Sequence, residues 1–350
     1  MPSFLILLTP FILFLSLCVG TIHINVDEVW SVLINLTPIQ TSLDFSQTNK
    51  LIIEELRIPR TVLAWFVGAT LAVTGAAMQG LFRNPLADPS IIGVTSGASL
   101  GASVAAVLMN SFLPSLFGLS IVVIGSFLGG LAAVILVYKL SSSVTFQHTS
   151  IPFSSFRGAS VATMLLLGIA ITAFAGALNS TLIYISDNET LRRISLWSMG
   201  GVDSANYQHI IIALVVIMPS LIILFNLYKS LDVLLLGESE AQLLGVNTKI
   251  IKLLIVSLVA LSVSTSVALA GVIGFVGLLV PHFFRLILGP NHRDLMLCSI
   301  FGGGIFLIIA DILSRILFSP SELPIGIITA IIGAPFFIII LRQPKLKIME

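Results

Sequence analysis

Charge is what this sequence has least of. Across 350 residues there are 17 Lys and Arg and 16 Asp and Glu, 9% of the chain, against about 25% in an ordinary soluble domain. So few charges cannot cover a water-soluble globule, and a soluble enzyme is the first class excluded. The two signs nearly cancel and there is no basic run, so nothing here follows a phosphate backbone and no nucleic-acid partner is expected. Cysteine is almost missing as well. Cys18 and Cys298 lie in apolar stretches and make neither a disulfide framework nor a metal-ligand cluster; no cofactor is expected. The Gly-Lys pair that ends a phosphate-cradling Walker A loop is also absent, because the residues before the lysines are Asn49, Tyr138, Tyr228, Thr248, Ile251, Pro344 and Leu346. Acids and histidines are scarce inside the apolar stretches, where Asp311, His209 and His282 fall near ends. Ion-coupled carriers place such groups in mid-span. If transport is active, its energy is expected from another polypeptide.

What the sequence does have is apolar length. At 57% hydrophobic and roughly 20 residues per crossing, the chain holds enough for about ten spans. Helix-length windows fall at residues 4–21, 61–81, 91–109, 117–138, 159–179, 208–228, 250–270, 272–288, 295–317 and 325–341. Residues 1–9 lack Lys and Arg, so the first window reads as a retained span rather than a signal peptide. The weakest windows are 91–109, rich in Gly and Ser, and 272–288, which is short and contains Pro281. The expected fold class is an all-α polytopic membrane protein, one permease domain over residues 1–350.

Lys and Arg are held on the cytoplasmic side of such proteins. With ten spans and a cytoplasmic N-terminus, eleven of them fall inside and six outside, the latter being Lys50, Arg57, Arg60, Arg192, Arg193 and Arg315. Both termini are therefore expected in the cytoplasm, and the six outer cations need a reason. Residues 22–58 form an extracytoplasmic segment in which residues 26–33 read equally as an interfacial helix with Trp30 at headgroup level or as an ordinary loop. Residues 139–158 read as a mobile cytoplasmic loop. Residues 180–206 are too short and polar to span, and form a candidate re-entrant or surface helix beside a cavity.

A docking place for an energy-supplying partner is expected at residues 231–246, on the cytoplasmic side. Leu236, Glu240, Leu243 and Leu244 recur at helical spacing, with Gly237 and Gly245 as breaks. A helix merely resting on the membrane would favour Lys and Arg over Glu238 and Glu240.

Longer motifs carry a family resemblance. Arg57-Ile-Pro-Arg60 leads into Gly68-Ala-Thr-Leu-Ala and then Thr74-Gly-Ala-Ala-Met-Gln79-Gly-Leu-Phe-Arg83-Asn-Pro85-Leu-Ala-Asp-Pro89. Trp197-Ser-Met-Gly-Gly, Leu236-Gly-Glu-Ser-Glu-Ala-Gln-Leu-Leu-Gly245, Gly274-Phe-Val-Gly-Leu-Leu-Val-Pro281-His282-Phe-Phe-Arg285, Asn291-His-Arg-Asp294, Ala310-Asp311 and Glu322-Leu-Pro324-Ile-Gly326 follow in order. This set resembles the FecCD-type permeases, the membrane subunits of ABC importers for iron siderophores, haem and cobalamin. The resemblance implies a type II ABC importer permease fold, a homodimer in the bacterial cytoplasmic membrane, two cytoplasmic ATPase subunits and an extracytoplasmic substrate-binding protein. It implies that outer arginines at Arg57, Arg60 and Arg315 receive glutamates of the binding protein, a task for which exposed guanidinium groups suit; without it they read as interfacial anchors. It further implies that Leu236, Gly237, Glu238, Glu240, Ala241, Leu243, Leu244 and Gly245 form the coupling helix held by the ATPase, and that the fifth span lines the path. Gly200-Gly201-Val202-Asp203 is shorter than the family's usual pattern after the Trp. Residues 78–85 and 182–192 look most like the haem-type members, which favours haem over ferric siderophore and cobalamin. His209, His282 and Tyr184 are read as packing or loop residues rather than haem ligands, since strong axial ligation would block release. A secondary transporter, marked by ATP-independent uptake, and a purely structural membrane protein, marked by failure to co-purify with an ATPase, are the competing classes.

Overall fold

Helix begins almost at the first residue, with Pro2 and its preset backbone angle in the first turn. The computed structural model describes residues 1–35, 46–112, 118–143 and 161–341; these are helical with short connections, and no strand occurs among them. In chain order the α-helices are α1 (Pro2–Cys18), α2 (Val26–Asn35), α3 (Gln47–Leu51), α4 (Ile58–Phe82), α5 (Val94–Phe112), α6 (Gly118–Ser143), α7 (Val161–Ile185) and α8 (Asn188–Ser198). They continue as α9 (Tyr207–Ile212), α10 (Met218–Asn226), α11 (Tyr228–Leu236), α12 (Glu238–Leu243), α13 (Thr248–Ala270), α14 (Val276–Leu288), α15 (His292–Ile316) and α16 (Ile325–Leu341). A π-helical stretch, Ile52–Arg57, joins α3 to α4, and another, Ala213–Ile217, joins α9 to α10.

Among the described residues, six helical runs are long and apolar enough to cross a bilayer: Gln47–Phe82, Ile121–Ser143, Val161–Ile185, Tyr207–Asn226, Thr248–Ala270 and His292–Ile316. Four shorter apolar helices are Pro2–Cys18, Val94–Leu108, Val276–Leu288 and Ile325–Ile339. Each apolar window of the sequence falls on one of these ten, so the chain is an all-α, multi-pass membrane protein. The two weakest windows are shortened for visible reasons. A 3-10 turn, Pro89–Ile92, precedes α5, and α14 starts only after an irregular stretch in which Phe275 has a positive φ of 68°.

The centre of the bundle is α4, flanked by α13, α14 and α15. In the most apolar part of the run containing α4, 89% of residues are buried; in α7 the figure is 22%. Small residues set the central packing. A Cβ added at Gly68 would strike the Gly303 carbonyl, and one added at Gly303 would strike the Gly68 carbonyl, so α4 and α15 touch backbone to backbone. The same reciprocal approach joins Gly97 and Gly101 of α5 to Gly125 and Gly129 of α6, the close packing that small residues permit in membranes. α4 ends where Arg83 turns left-handed at φ 49° and Asn84 N–H bonds back to the Gln79 carbonyl at 3.1 Å. Pro85 then prevents continuation.

Residues 26–33, read as either an interfacial helix or a loop, fall in the helix α2. Its Val29 and Val32 are fully buried, and exposed Trp30 stacks edge-on against Phe14 of α1 at 5.6 Å. Most of the expected cytoplasmic loop 139–158 lies outside the described residues; its first residues, 139–143, complete α6. Residues 188–198 form the non-spanning helix α8, capped at its start by Asp187.

Candidate functional site

Two polar clusters sit at opposite ends of α4 and α15. At the Arg60 end, Asp311 on α15 is fully buried, and a buried carboxylate is tolerated only when paired. Arg60 Nε donates to its Oδ1 at 2.8 Å, and Arg315 Nη2 lies 2.9 Å from its Oδ2. Arg60 also reaches Glu322, Nη1 to Oε2, at 2.7 Å. Two guanidinium groups and two carboxylates thus close a balanced network across the ends of α4 and α15 and the connection to α16.

The remaining donors of two arginines hold the end of α1. Arg315 Nη1 donates to the carbonyls of Ser16 at 3.2 Å and Val19 at 2.7 Å, and its Nη2 donates to the Ser16 hydroxyl at 2.8 Å. Arg57 Nη1 donates to the carbonyls of Leu17 at 2.6 Å and Cys18 at 3.2 Å, and its Nη2 to Ile22 at 2.5 Å. The last carbonyls of a helix have no intrahelical donor and carry its negative dipole end, so two cations are well matched there. This corrects one expectation. Arg57, Arg60 and Arg315 were expected as exposed outer cations, but Arg57 is only 5% exposed and Arg315 3%, because the α1 carbonyls and Asp311 absorb their donors. Only Arg60, with its partner Glu322, keeps part of its side chain at the surface.

Beside this network lies a cavity of about 760 Å³, walled by Ile194 and Trp197 of α8, Val123 of α6, and Arg60, Asp203 and Glu322. α8 is thus the expected helix beside a cavity. The Asp187 carboxyl that caps it is held below the usual carboxylate range by the Thr190 hydroxyl, with backbone N–H groups adding to the effect. The Glu189–Arg193 pair on the same helix is exposed and contributes little.

At the opposite end the stretch 231–246 holds the last part of α11 and all of α12, with a break at Gly237 that leaves Leu236 on α11. α11 stops at Gly237, whose φ of 132° a side chain would resist, and α12 ends just before Gly245 at φ 84°. Ala241 is fully buried and faces the bundle, while Leu243 is 89% exposed and Leu236 and Leu244 are exposed beside it. Glu238 pairs with buried Lys252 of α13 at 2.5 Å, whereas Glu240 is exposed. The result is a short helix tethered through Glu238 and flanked by three unburied leucines, one on α12, one just after it and one at the end of α11.

Sequence reasoning missed the Asp232–His292 contact at this end, in which His292 Nδ1 lies 2.7 Å from Asp232 Oδ1. Both residues fall inside quoted segments, but neither segment names the other as partner. Of the three side chains read as packing or loop residues rather than haem ligands, Tyr184 is exposed, His282 is buried and His209 is half-buried. No group of three or more His, Cys, Asp or Glu suited to a metal occurs among the described residues.

Among the described residues, ten apolar helices around a glycine-packed centre, with a short tethered helix at one end, define a polytopic α-helical membrane protein. The chain belongs to the FecCD transport family, whose profile matches residues 7–343. It is 42% identical to the hemin transport system permease protein HmuU of Yersinia pestis over 82% of each chain. It is 40% identical to the cobalamin import system permease protein BtuC of Halobacterium salinarum, over 86% of this chain and 76% of that one. Its fold matches a solved structure described as an inward-facing metal-chelate type ABC transporter with a TM-score of 0.80 and 32% identity, over 97% of this chain and 98% of that one. The fold is accordingly that of an ABC importer permease.

Proposed function

We propose that this chain is the permease subunit of an ABC importer that carries an iron complex, haem before ferric siderophore or cobalamin, across a bacterial cytoplasmic membrane. It forms one permease domain, works as a homodimer, and is powered by two separate ATPase subunits. The observation that carries the reading is the glycine-bounded helix α12 and its flanks: Ala241 is buried, while Leu243, Leu244 just after the helix and Leu236 at the end of α11 are exposed. Three leucines in water are unfavourable by roughly 1.5–3 kcal/mol each relative to burial, so a partner that covers them gains that contribution. In this reading α12 lies in the cytoplasm, both termini lie on that side, and the Arg60 end faces out towards a substrate-binding protein.

Arg60 and Glu322 offer the partly exposed charges of that outer face. Arg57 and Arg315 support it from beneath by fixing the end of α1. The largely unburied α7, with Leu166, Ile169 and Phe174 exposed and Gly176 facing open space, suits a helix shared between the path and a second copy. Haem is favoured by the residue match in segments 78–85 and 182–192 and by the hemin permease among the relatives; the cobalamin permease at nearly equal identity keeps the corrinoid next. Asp311 would be the natural suspect for ion coupling, but Arg60 and Arg315 neutralise it.

The test is reconstitution with the ATPase and binding protein that co-purify with the chain, offering haem, cyanocobalamin and ferric ferrichrome in turn. ATP-dependent uptake of haem is expected. Uptake driven by an ion gradient without ATP would replace this reading with a secondary transporter.

A further inference from the structure

We infer that Asp232 is a positioning residue that locks the α11–α12 segment to α15, so that a displacement of α12 is passed to the Arg60 end of the bundle. The inference rests on the importer reading, in which α12 receives the ATPase.

Asp232 lies on α11, one helical turn before Leu236. Its Oδ1 accepts from the His292 backbone N–H at 2.9 Å and contacts the His292 ring Nδ1 at 2.7 Å. An ionised carboxylate can only accept, so this contact places the ring proton on Nδ1. His292 is the first residue of α15, and its N–H is one of the donors that a helix start leaves without an internal partner. Asn291 takes the next such donor, that of Arg293, at 2.9 Å. A carboxylate at this position also meets the positive end of the α15 dipole.

The ring is fully buried, and its Nε2 fills the space that a side chain at Gly80 of α4 would need. One acidic side chain on α11 is thereby joined to two central helices. α15 then runs unbroken for 25 residues, about 38 Å at 1.5 Å per residue, and carries Asp311 and Arg315 towards its far end. Through them it reaches Arg60 on α4 and the end of α1. The second tether, Glu238 to Lys252, leads to α13 instead. Among the described residues, Asp232 is therefore a polar link from the segment next to α12 onto the helix that organises the far cluster. A hydrogen-bonded pair suits this task because it fixes direction as well as distance, whereas an apolar contact would let α11 slide.

The experiment uses the full transporter in proteoliposomes, with the cargo that the wild type carries out of haem, cyanocobalamin and ferric ferrichrome. Cargo moved per ATP hydrolysed is compared for wild type, Asp232→Asn, His292→Phe and Asp232→Ala. Asn keeps an oxygen acceptor, and the ratio should stay within about threefold of wild type; losing the charge-assisted bond in Asp232→Ala should lower it about tenfold or more. His292→Phe keeps the backbone N–H and the ring volume but loses the Nδ1 donor, so an intermediate ratio is expected even if Asp232→Ala fails to assemble. An unchanged ratio in His292→Phe or Asp232→Ala, with wild type coupled, overturns the inference alone. A wild type that supports no ATP-driven uptake overturns the importer reading and this inference with it.

Discussion

Asp311→Asn is the sharpest probe of the Arg60 end, because it removes one charge and almost no volume. In the native chain Asp311 is fully buried and shared, Arg60 gripping one oxygen and Arg315 the other. Removing one member of a buried pair costs about 3–5 kcal/mol, since the remaining charge stays desolvated and unpaired. Here two cations are left behind, but neither is bare. Arg60 keeps Glu322, and Arg315 keeps the Ser16 and Val19 carbonyls and the Ser16 hydroxyl. An Asn oxygen also still accepts from one guanidinium. The low end, about 3 kcal/mol, is therefore expected, and at roughly 2 °C per kcal/mol for a chain of this size the melting temperature in detergent should fall by about 6 °C.

The cycle with Arg315→Gln separates charge from packing. The double variant leaves Arg60 with Glu322 and no second cation, so its loss should be smaller than the sum of the two single losses by at least about 1 kcal/mol, as expected for residues in one network. Thermal unfolding followed by intrinsic fluorescence gives all four values. A melting temperature for Asp311→Asn within a degree of wild type, or strict additivity in the cycle, would show that the carboxylate is not what balances the two arginines.

Three further outcomes are expected. Leu243→Asp and Glu240→Lys at exposed positions on α12 should leave expression unchanged but weaken co-purification with the ATPase, because an unpaired charge in a buried interface is costly; unchanged recovery of the ATPase with both would remove α12 from the docking site. Single cysteines at positions 165–179 of α7, introduced after Cys18 and Cys298 are replaced, should react with water-soluble thiol reagents along one helical face, and labelling at the ends only would move the path elsewhere. Arg60→Lys should weaken binding of the substrate-binding protein modestly and Arg60→Glu severely, with a salt-sensitive association rate, whereas equal affinity at low and high salt across both variants would leave Arg60 purely a partner of Asp311 and Glu322.

How much of this was readable in advance depended on how far each residue's partner lies along the chain. The bundle was legible because a span is a local property: some twenty apolar residues identify themselves without reference to anything else. The α12 segment was legible for the same reason, since Gly237 and Gly245 mark its ends and the leucine spacing marks its face within ten residues. The close pairing of α5 with α6 was half legible. Gly97 and Gly101 lie in the window marked as rich in Gly and Ser, but nothing in them named Gly125 and Gly129 as the residues they meet. At the Arg60 end local reading failed, and the charge count shows why. Six cations expected outside, in a chain this poor in charge, did require an explanation, and exposure to a soluble partner was the natural one. For Arg57 and Arg315 the structure shows partners inside the protein, in carbonyls at and just after the α1 end that are 35 to 40 and 296 to 299 positions away. A backbone carbonyl is present at every residue and leaves no mark in the sequence, so an arginine whose partner is a helix end looks the same as one that faces water. The distinction becomes visible only when α1, α4 and α15 are placed side by side. The same reasoning identifies where else such chains hide function: a charged side chain with no local partner in a span-rich sequence is to be sought first at the end of a neighbouring helix, as Asp232 is at the start of α15.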